Sequence, residues 1–270
     1  MIIELLKHIT TSTPEYVKKM GYLREVIAIE HRFKRCKKEW KEHLELSKQT
    51  ILDSLFLCTH NKRVVILGSG FLLDLPLREL SNTFEEVVLV DILHMPSVRE
   101  AVSIFSNVVL ITSDITGLAE KLYISRPKPE GSLPQSEPFL PYCDDDCSLV
   151  ISLNILSQLP IIPSHYLMND LKWKESEKLL CWSNQIMLDH YKALNHLKIP
   201  VCLISDYEMV YIDKKGNEID RQITVPFLAK AKPYNQWRWN IAPIGIESRK
   251  YAVELIVSAF LLEKDKKTVR

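Results

Sequence analysis

The sequence predicts an α/β fold: a doubly wound, mostly parallel sheet preceded by a helical element. Three observations carry this prediction. Val64-Val65-Ile66-Leu67-Gly68-Ser69-Gly70 reads as a buried strand running into a glycine turn, and two of the chain's seven glycines fall there. Glycine lets the backbone bend sharply and lets a ligand approach without a Cβ in the way. About 20 residues later, Glu86-Val87-Val88-Leu89-Val90-Asp91 is a second apolar strand ending in a carboxylate, the spacing of a ribose-binding acid in nucleotide-binding α/β folds. From Arg63 onward, apolar runs short enough for strands alternate with segments of helical periodicity, as a parallel sheet with crossover helices requires.

The elements follow in order. Thr13-Pro14-Glu15 is a helix start, with Thr13 as the cap, Pro14 in the first helical position and an acid in the first turn. Phe33, Cys36, Trp40, Leu44, Ile51 and Leu55 then recur on one helical face to about Cys58. Strand one covers about 63–67, followed by a helix from about Leu72 to Leu80. Strand two covers 86–90, a helix runs from about Pro96 to Phe105, and strand three covers 107–112. Prolines 127, 129, 134, 138 and 141 exclude a regular helix or central strand from Arg126 to Pro141, which reads as a loop over the sheet edge. Strand four is Ser148 to Leu153, a long helical stretch spans about 170–197, and strand five is Pro200 to Ser205. Tyr207 to Ile223 alternates around a hairpin-like turn at Asp213 to Asn217. Trp237 to Ile241 and Tyr251 to Leu262 are the closing strands.

The chain divides into a helical element at 1–60 and an α/β domain at 61–270. A net charge of +1 supplies no global field for nucleic acid or an acidic membrane. No window holds the ~18 apolar residues of a membrane span. Met1 to Lys7 lacks the pattern of a signal peptide. The cysteines at 36, 58, 143, 147, 181 and 202 read as reduced thiols, which places the protein in the cytoplasm.

Gly68-Ser69-Gly70, Asp91, Asp114-Ile115 and the strand-plus-Asn154 at 146–154 together resemble the class I S-adenosylmethionine-dependent methyltransferases, over roughly residues 60–262. The resemblance implies a doubly wound, mostly parallel seven-stranded sheet with antiparallel C-terminal strands. It implies S-adenosylmethionine as cofactor and methyl transfer as the reaction. It places Gly68, Ser69 and Gly70 in the glycine motif, Asp91 and Ile92 at the ribose, Asp114 and Ile115 at the adenine, and Asn154 in the site after strand four. Two positions depart from the pattern: Ile66 stands where the family usually has an acid, and Leu72 where it usually has a third glycine. The acceptor is left open among a small molecule, a protein side chain and RNA. Asn154 is followed by Ile155-Leu156-Ser157, unlike the aromatic motif of amino-group nucleic-acid methyltransferases.

Two other classes compete: a nicotinamide-dependent oxidoreductase, and a binding module with this fold and no turnover. A dinucleotide fingerprint wants Gly or Ala where Leu73 stands, and Tyr211 and Lys215, spaced like a catalytic pair, fall in a hairpin rather than on a helix. His94 and His165 are the candidate general bases on the expected edge. Ser157, Gln158 and Asp206 are candidate polar contacts there. Trp237 and Trp239 share one strand face and read as packing, with an aromatic substrate wall as the other reading. Cys143 and Cys147 lack the spacing of a zinc pair and read as a solvated turn, as no metal site is expected. The basic run Arg32 to Lys41 reads as a solvated helix face balanced by Glu39, Glu42 and Glu45.

Overall fold

A computed structural model describes residues 13–263. The signal-peptide question at Met1 to Lys7 lies outside the described residues. The sheet is built from β1 (Arg63–Leu67), β2 (Glu86–Asp91), β3 (Val108–Thr112), β4 (Cys147–Leu153), β5 (Val201–Asp213), β6 (Glu218–Ile223), β7 (Asn235–Ala242) and β8 (Tyr251–Leu262). Its order is β3-β2-β1-β4-β5-β8-β7, a path of seven strands, and β6 is an eighth that pairs with β5 alone. β1 to β5 are mutually parallel along this path, and β8 runs antiparallel to both β5 and β7. This is the mostly parallel sheet with an antiparallel end that the sequence predicts.

Continuous apolar runs make central strands because both faces of a parallel sheet are covered. Val64 to Leu67, Val87 to Val90 and all of β4 are buried. Alternate residues serve alternate faces. Val64 and Ile66 join a core with Trp40 and Leu80, while Val65 and Leu67 join one with Ile186, Met187 and Leu194.

The helices are α1 (Glu15–Met20), α2 (Tyr22–Arg35), α3 (Lys37–Asp53), α4 (Leu77–Thr83), α5 (Pro96–Val102), α6 (Ala119–Ser125), α7 (Ile161–Asn169) and α8 (Glu177–His196). The N-terminal helical stretch is therefore segmented. Gly21, at φ 103°, ends α1 in the left-handed region, and Cys36, at φ −113° and ψ 22°, separates α2 from α3. Pro14 itself takes the cap position, with an extended ψ of 150°, in place of Thr13. Of the predicted face, Cys36, Trp40 and Ile51 are buried, and Phe33, Leu44 and Leu55 pack against them. α3 is laid on the far edge of the sheet, where Trp40 Nε1 donates to Ile241 O of β7 at 3.1 Å.

Several boundaries move. The helix after the glycine turn begins at Leu77 rather than Leu72: Leu72 is left-handed at φ 63°, and Pro76 is the cap. α5 ends at Val102. The long helix starts at Glu177, where the Ser176 side chain accepts from Leu179 N, and 161–169 forms a separate helix, α7. β5 does not stop at Ser205 but runs on to Asp213, because its outer half pairs with both β6 and β8. The proline-rich segment is a strap. Glu137 N and Phe139 N donate to Thr116 O and Ile115 O at 2.9 and 3.0 Å, and Trp173 and Trp182 donate to Pro127 O and Pro134 O.

Candidate functional site

The strand order reverses between β1 and β4, and a crevice at such a switch point, beyond the strands' carboxyl ends, is where open α/β sheets bind ligands. A cavity of about 410 Å³ lies there, with Gly68, Gly70, Asp91, Asp114, Asn154 and Asp206 on its wall. They lie at or just after the C-terminal ends of β1, β2, β3 and β4, or at the bulge in β5, so strand register brings them together. α2 closes one side with Tyr22, Val26 and Ile29, and Arg32 pairs with Glu247 at 3.0 Å, both on the lining.

The glycine turn is tied to the second strand. Gly70 N donates to Asp91 Oδ2 at 2.8 Å, Ile92 N donates to Asp91 Oδ1 at 2.8 Å, and Gly68 N donates to Val90 O at 2.9 Å. Asp91 is thus aimed across the mouth of the turn, and each oxygen keeps a lone pair for another donor. Burial raises the pKa of Asp91 from its ordinary carboxylate value, opposed by the Gly70 N–H. Of the two turn glycines the tighter is Gly68, not Gly70. At φ 84°, a Cβ on Gly68 would lie 2.9 Å from Ile155 Cβ and 3.0 Å from Leu153 O. Gly70 is also left-handed, at φ 47°, but a Cβ there would meet nothing within 4 Å. Gly68 is needed to pack β1 on β4; Gly70 leaves open the space a ligand would take.

Asp114 is consumed by the chain. Oδ1 accepts from Thr116 N and Thr116 Oγ1 at 2.9 and 2.6 Å, and Oδ2 accepts from Leu118 N and Ala119 N at 2.9 and 2.7 Å. Those bonds use both lone pairs of both oxygens. Asp114 therefore shapes the Ile115–Thr116 loop and caps α6, and Ile115 and Thr116 line the cavity beside it.

On the β4 side the structure joins Asn154 to two residues that sequence reasoning missed, Asp74 and His43. Asn154, left-handed at φ 49°, donates through Nδ2 to Asp74 Oδ2 at 2.7 Å. Asn154 Oδ1 is buried without a hydrogen-bond partner among the described residues. Asp74 is half-buried on the cavity wall, and burial raises its pKa, with the Asn154 bond opposing. His43, from α3, is buried and lines the same cavity. Its Nδ1 accepts from Trp237 Nε1 at 3.0 Å, and its ring stacks on Trp239 at 3.8 Å and 3°. Burial lowers its pKa to about 3, so the ring is neutral, and the Trp237 bond leaves its proton on Nε2. His43 is therefore a donor and a wall, not a base. Trp239 lines the cavity and meets Trp40 edge-on at 4.9 Å, so of the paired tryptophans it is the one on the aromatic wall. Asp206 accepts from Ser157 Oγ and from Thr224 Oγ1, the latter at 3.0 Å. Ser157 and Gln158 line the cavity as well.

Other candidates lie elsewhere. Ser69 is buried, with its hydroxyl outside the lining. His94 is buried, its Nε2 on Ile111 O at 3.2 Å, and it does not reach the cavity wall. His165 is exposed on α7, not in a loop, and is likewise off the wall. Neither histidine is placed to act as a base on a ligand in the cavity. Cys143 and Cys147 flank a turn at the opposite end of β4, where Arg63 and Lys62 pair with Asp144 and Asp146 at 2.7 Å. No cluster of three metal-ligating side chains occurs among the described residues. Tyr211 is in β5 and Lys215 in the turn before β6, so they share no helical face. In the basic run, Lys34 and Lys41 pair with Glu30 and Glu45. The signals for the missed residues were faint: Asp74 interrupts the apolar run 71–76, and His43 joins Trp40, Ser47, Thr50 and Ile51 on the buried face of α3.

The fold and the crevice define a doubly wound α/β protein with its ligand cavity at the switch point. No helix among the described residues is long and apolar enough to cross a membrane. No family model matches the chain, and no curated protein sequence matches it. Among solved structures it is similar to the Burkholderia thailandensis 1,6-didemethyltoxoflavin-N1-methyltransferase with bound 1,6-didemethyltoxoflavin and S-adenosylhomocysteine, at 12% identity over 90% of each chain and a TM-score of 0.35. It is similar to the N-methyltransferase NodS of Bradyrhizobium japonicum in complex with S-adenosylhomocysteine, at 10% identity over 80% of this chain and 85% of that one, with a TM-score of 0.37. It is also similar to an rRNA methylase of Streptococcus thermophilus, at 9% identity over 80% and 96%, with a TM-score of 0.35.

Proposed function

We propose that this protein transfers a methyl group from S-adenosylmethionine to an acceptor bound in the same cavity. One observation carries the reading: the glycine turn and Asp91 are hydrogen-bonded to each other at the carboxyl edge of the sheet, facing a cavity at its switch point. The lining fits the cofactor in charge and shape. Asp74, Asp91 and Asp206 line it, and none of them forms an ion pair among the described residues, so the wall suits a cation such as a sulfonium. The open space at Gly70 accommodates a ligand beside the backbone.

In this reading Asp91 accepts the ribose hydroxyls, with the Ile92 backbone beside it. Gly68 and Gly70 allow close approach, and Ile115 and Thr116, held by Asp114, frame the base. Bound S-adenosylmethionine supplies an electrophilic methyl group. The chain's part is alignment and exclusion of water, by α2 on one side and Trp40 and Trp239 on the other. In the division into a helical element at 1–60 and a domain at 61–270, the described helical residues 13–60 then serve as a cover on the domain. The free thiols of all six cysteines suit a cytoplasmic setting. The acceptor can be a small molecule or RNA; the enclosed aromatic wall favours a small molecule.

Thermal shift and calorimetry with S-adenosylhomocysteine, S-adenosylmethionine and NADH side by side test the reading. Stabilisation by the first two and none by NADH is the expected result. A shift with NADH alone overturns it in favour of an oxidoreductase. Binding of S-adenosylmethionine without methyl transfer to any acceptor tried favours the binding module.

A further inference from the structure

We infer that a lysine-lined groove on α3 anchors the phosphate of a small phosphate-ester acceptor, whose apolar end reaches into the cavity. The inference rests on the proposed reading of the cavity and deepens it by naming the acceptor's class. A second hollow, of about 530 Å³, opens along α3. Phe33 and Leu44 give it an apolar floor, Lys37, Lys38, Lys41 and Lys48 stand around it, and Glu45 is the one acid on its lining. At about 100° per residue, Lys37, Lys41, Leu44 and Lys48 fall on one stripe of the helix, within about 60° of one another and about 16 Å long. Glu39 and Glu42 fall more than about 120° from the centre of that stripe, on the other flank. Acids that balance the basic run in the sequence therefore do not balance it in the groove. Lys37, Lys38 and Lys48 take part in none of the ion pairs among the described residues. Lys41 pairs with Glu45 at 3.7 Å, but both side chains are exposed, and such a pair contributes little. Four lysines against one glutamate leave the groove with an excess of three positive charges.

The groove adjoins the cavity. Leu44 lines both. The Phe33 ring lies 5.8 Å from that of Trp40, which is on the cavity wall beside Trp239. Lys48 is near enough for its ammonium to act on Asp74 of the cavity wall, where it opposes the burial that raises the carboxyl's pKa. The groove thus continues the aromatic wall outward, and the surface changes from apolar to cationic along it. A ligand with an apolar body and an anionic end finds both parts met. Lysine binds phosphate as a point charge, and an excess of several positive charges suits a phosphate dianion better than a single carboxylate. Holding the phosphate outside leaves the apolar end against Leu44, Trp40 and Trp239, so the anchor orients the acceptor before transfer.

Calorimetry on the protein saturated with S-adenosylhomocysteine tests the anchor. The probes are 4-phenylbutyl phosphate, 4-phenylbutanol as the same body without the charge, methyl phosphate as the charge without the body, and an eight-residue oligouridylate. The variant is Lys37→Gln/Lys41→Gln, at two exposed helix positions where Gln is as good a helix former as Lys, so the fold is kept. Lys214→Gln/Lys215→Gln, in the exposed turn before β6, is the control for general surface charge. Wild type is expected to prefer 4-phenylbutyl phosphate over both the alcohol and methyl phosphate by at least about tenfold. The groove variant should lose most of the preference over the alcohol, with alcohol and S-adenosylhomocysteine affinities unchanged, and added salt should act in the same direction. The control should match wild type. No preference over the alcohol, a preference that survives in the groove variant, or one lost equally in the control overturns the anchor. A preference over the alcohol but none over methyl phosphate shows that the body does not enter the cavity, and overturns the link between the two. Oligouridylate binding that is tighter than that of the ester and lost in the groove variant assigns the stripe to a nucleic-acid strand and overturns the small-molecule class. If wild type does not bind S-adenosylhomocysteine, the methyl-transfer reading fails, and the same titrations on the free protein decide the groove.

Discussion

Replacing Asp91 by alanine tests the centre of the proposed site. The side chain has two roles in the structure. It accepts from Gly70 N and Ile92 N, both at 2.8 Å, and it presents its remaining lone pairs to the cavity. A hydrogen bond to a charged group contributes about 1.5–3 kcal/mol. Losing two ribose contacts at the lower end predicts about 3 kcal/mol of binding energy, roughly a 100-fold weaker S-adenosylhomocysteine affinity. Losing the ties to the turn acts on the free protein. Part of that is returned because burial already disfavours the carboxylate, so a net loss of about 1–2 kcal/mol, or a few degrees in melting temperature, is expected. Asp91→Asn separates the two roles. Its carbonyl can still accept from Gly70 N, so melting temperature is largely kept, whereas the charge-assisted ribose contacts are lost. Calorimetry with S-adenosylhomocysteine and melting of the free variants are the assays. An Asp91→Ala protein that melts early yet binds S-adenosylhomocysteine with wild-type affinity refutes the ribose role and leaves Asp91 as a brace for the turn.

Further predictions follow from the same geometry. Gly68→Ala should unfold or sharply destabilise the protein, since its Cβ would lie 2.9 Å from Ile155 Cβ at a left-handed φ; Gly70→Val should stay folded at some cost in strain and lose S-adenosylhomocysteine binding, and undiminished binding would show that the turn does not touch the ligand. Asp114→Ala should cost about 2–3 kcal/mol of stability through the freed donors at the start of α6, with any loss of nucleoside affinity following only from movement of the loop; a variant melting like wild type would contradict the capping role. Burial lowers the pKa of His190 from 6.5 to about 4, so the folded state resists its protonation. Stability is then complete above pH 6.5 and is lost as pH falls toward 4, by about 3 kcal/mol at most. His190 Nε2 lies 3.1 Å from Ser152 Oγ; His190→Gln, which keeps a partner for that hydroxyl, should flatten that loss in denaturation measured across this range, and an unchanged pH profile would exclude the histidine as its source.

The sheet and the glycine-turn side of the cavity were legible in the amino-acid sequence. Val64 to Gly70 and Glu86 to Asp91 are contiguous signals: an apolar run, a glycine pair, a terminal carboxylate. Such signals reflect burial on both faces of a strand and the left-handed backbone of the turn, which local residue choice determines. The same local reasoning placed the helix starts poorly. Leu72 adopts a positive φ that its side chain disfavours, and only the packing of the turn imposes it. It also merged α1, α2 and α3, because their shared periodicity does not reveal how Gly21 and Cys36 turn the chain. Whether Asp114 faced a ligand or its own loop was open at the sequence level. Its four bonds to residues two to five positions away decided for the loop, and no pattern of residue types distinguishes those outcomes.

The β4 side of the site is a product of tertiary structure. Asn154 meets Asp74 from 80 positions away and His43 from 111, and Trp237 meets His43 from 194. No local periodicity encodes such separations. They arise because α3 is laid across β7, and because the order β1-β4 sets the end of one strand against the turn that follows another. The sequence by itself determined which segments could be buried strands and where a glycine turn must bend. Only the folded chain decided which carboxylates keep lone pairs for a ligand, because hydrogen bonding and burial depend on neighbours that the sheet brings together.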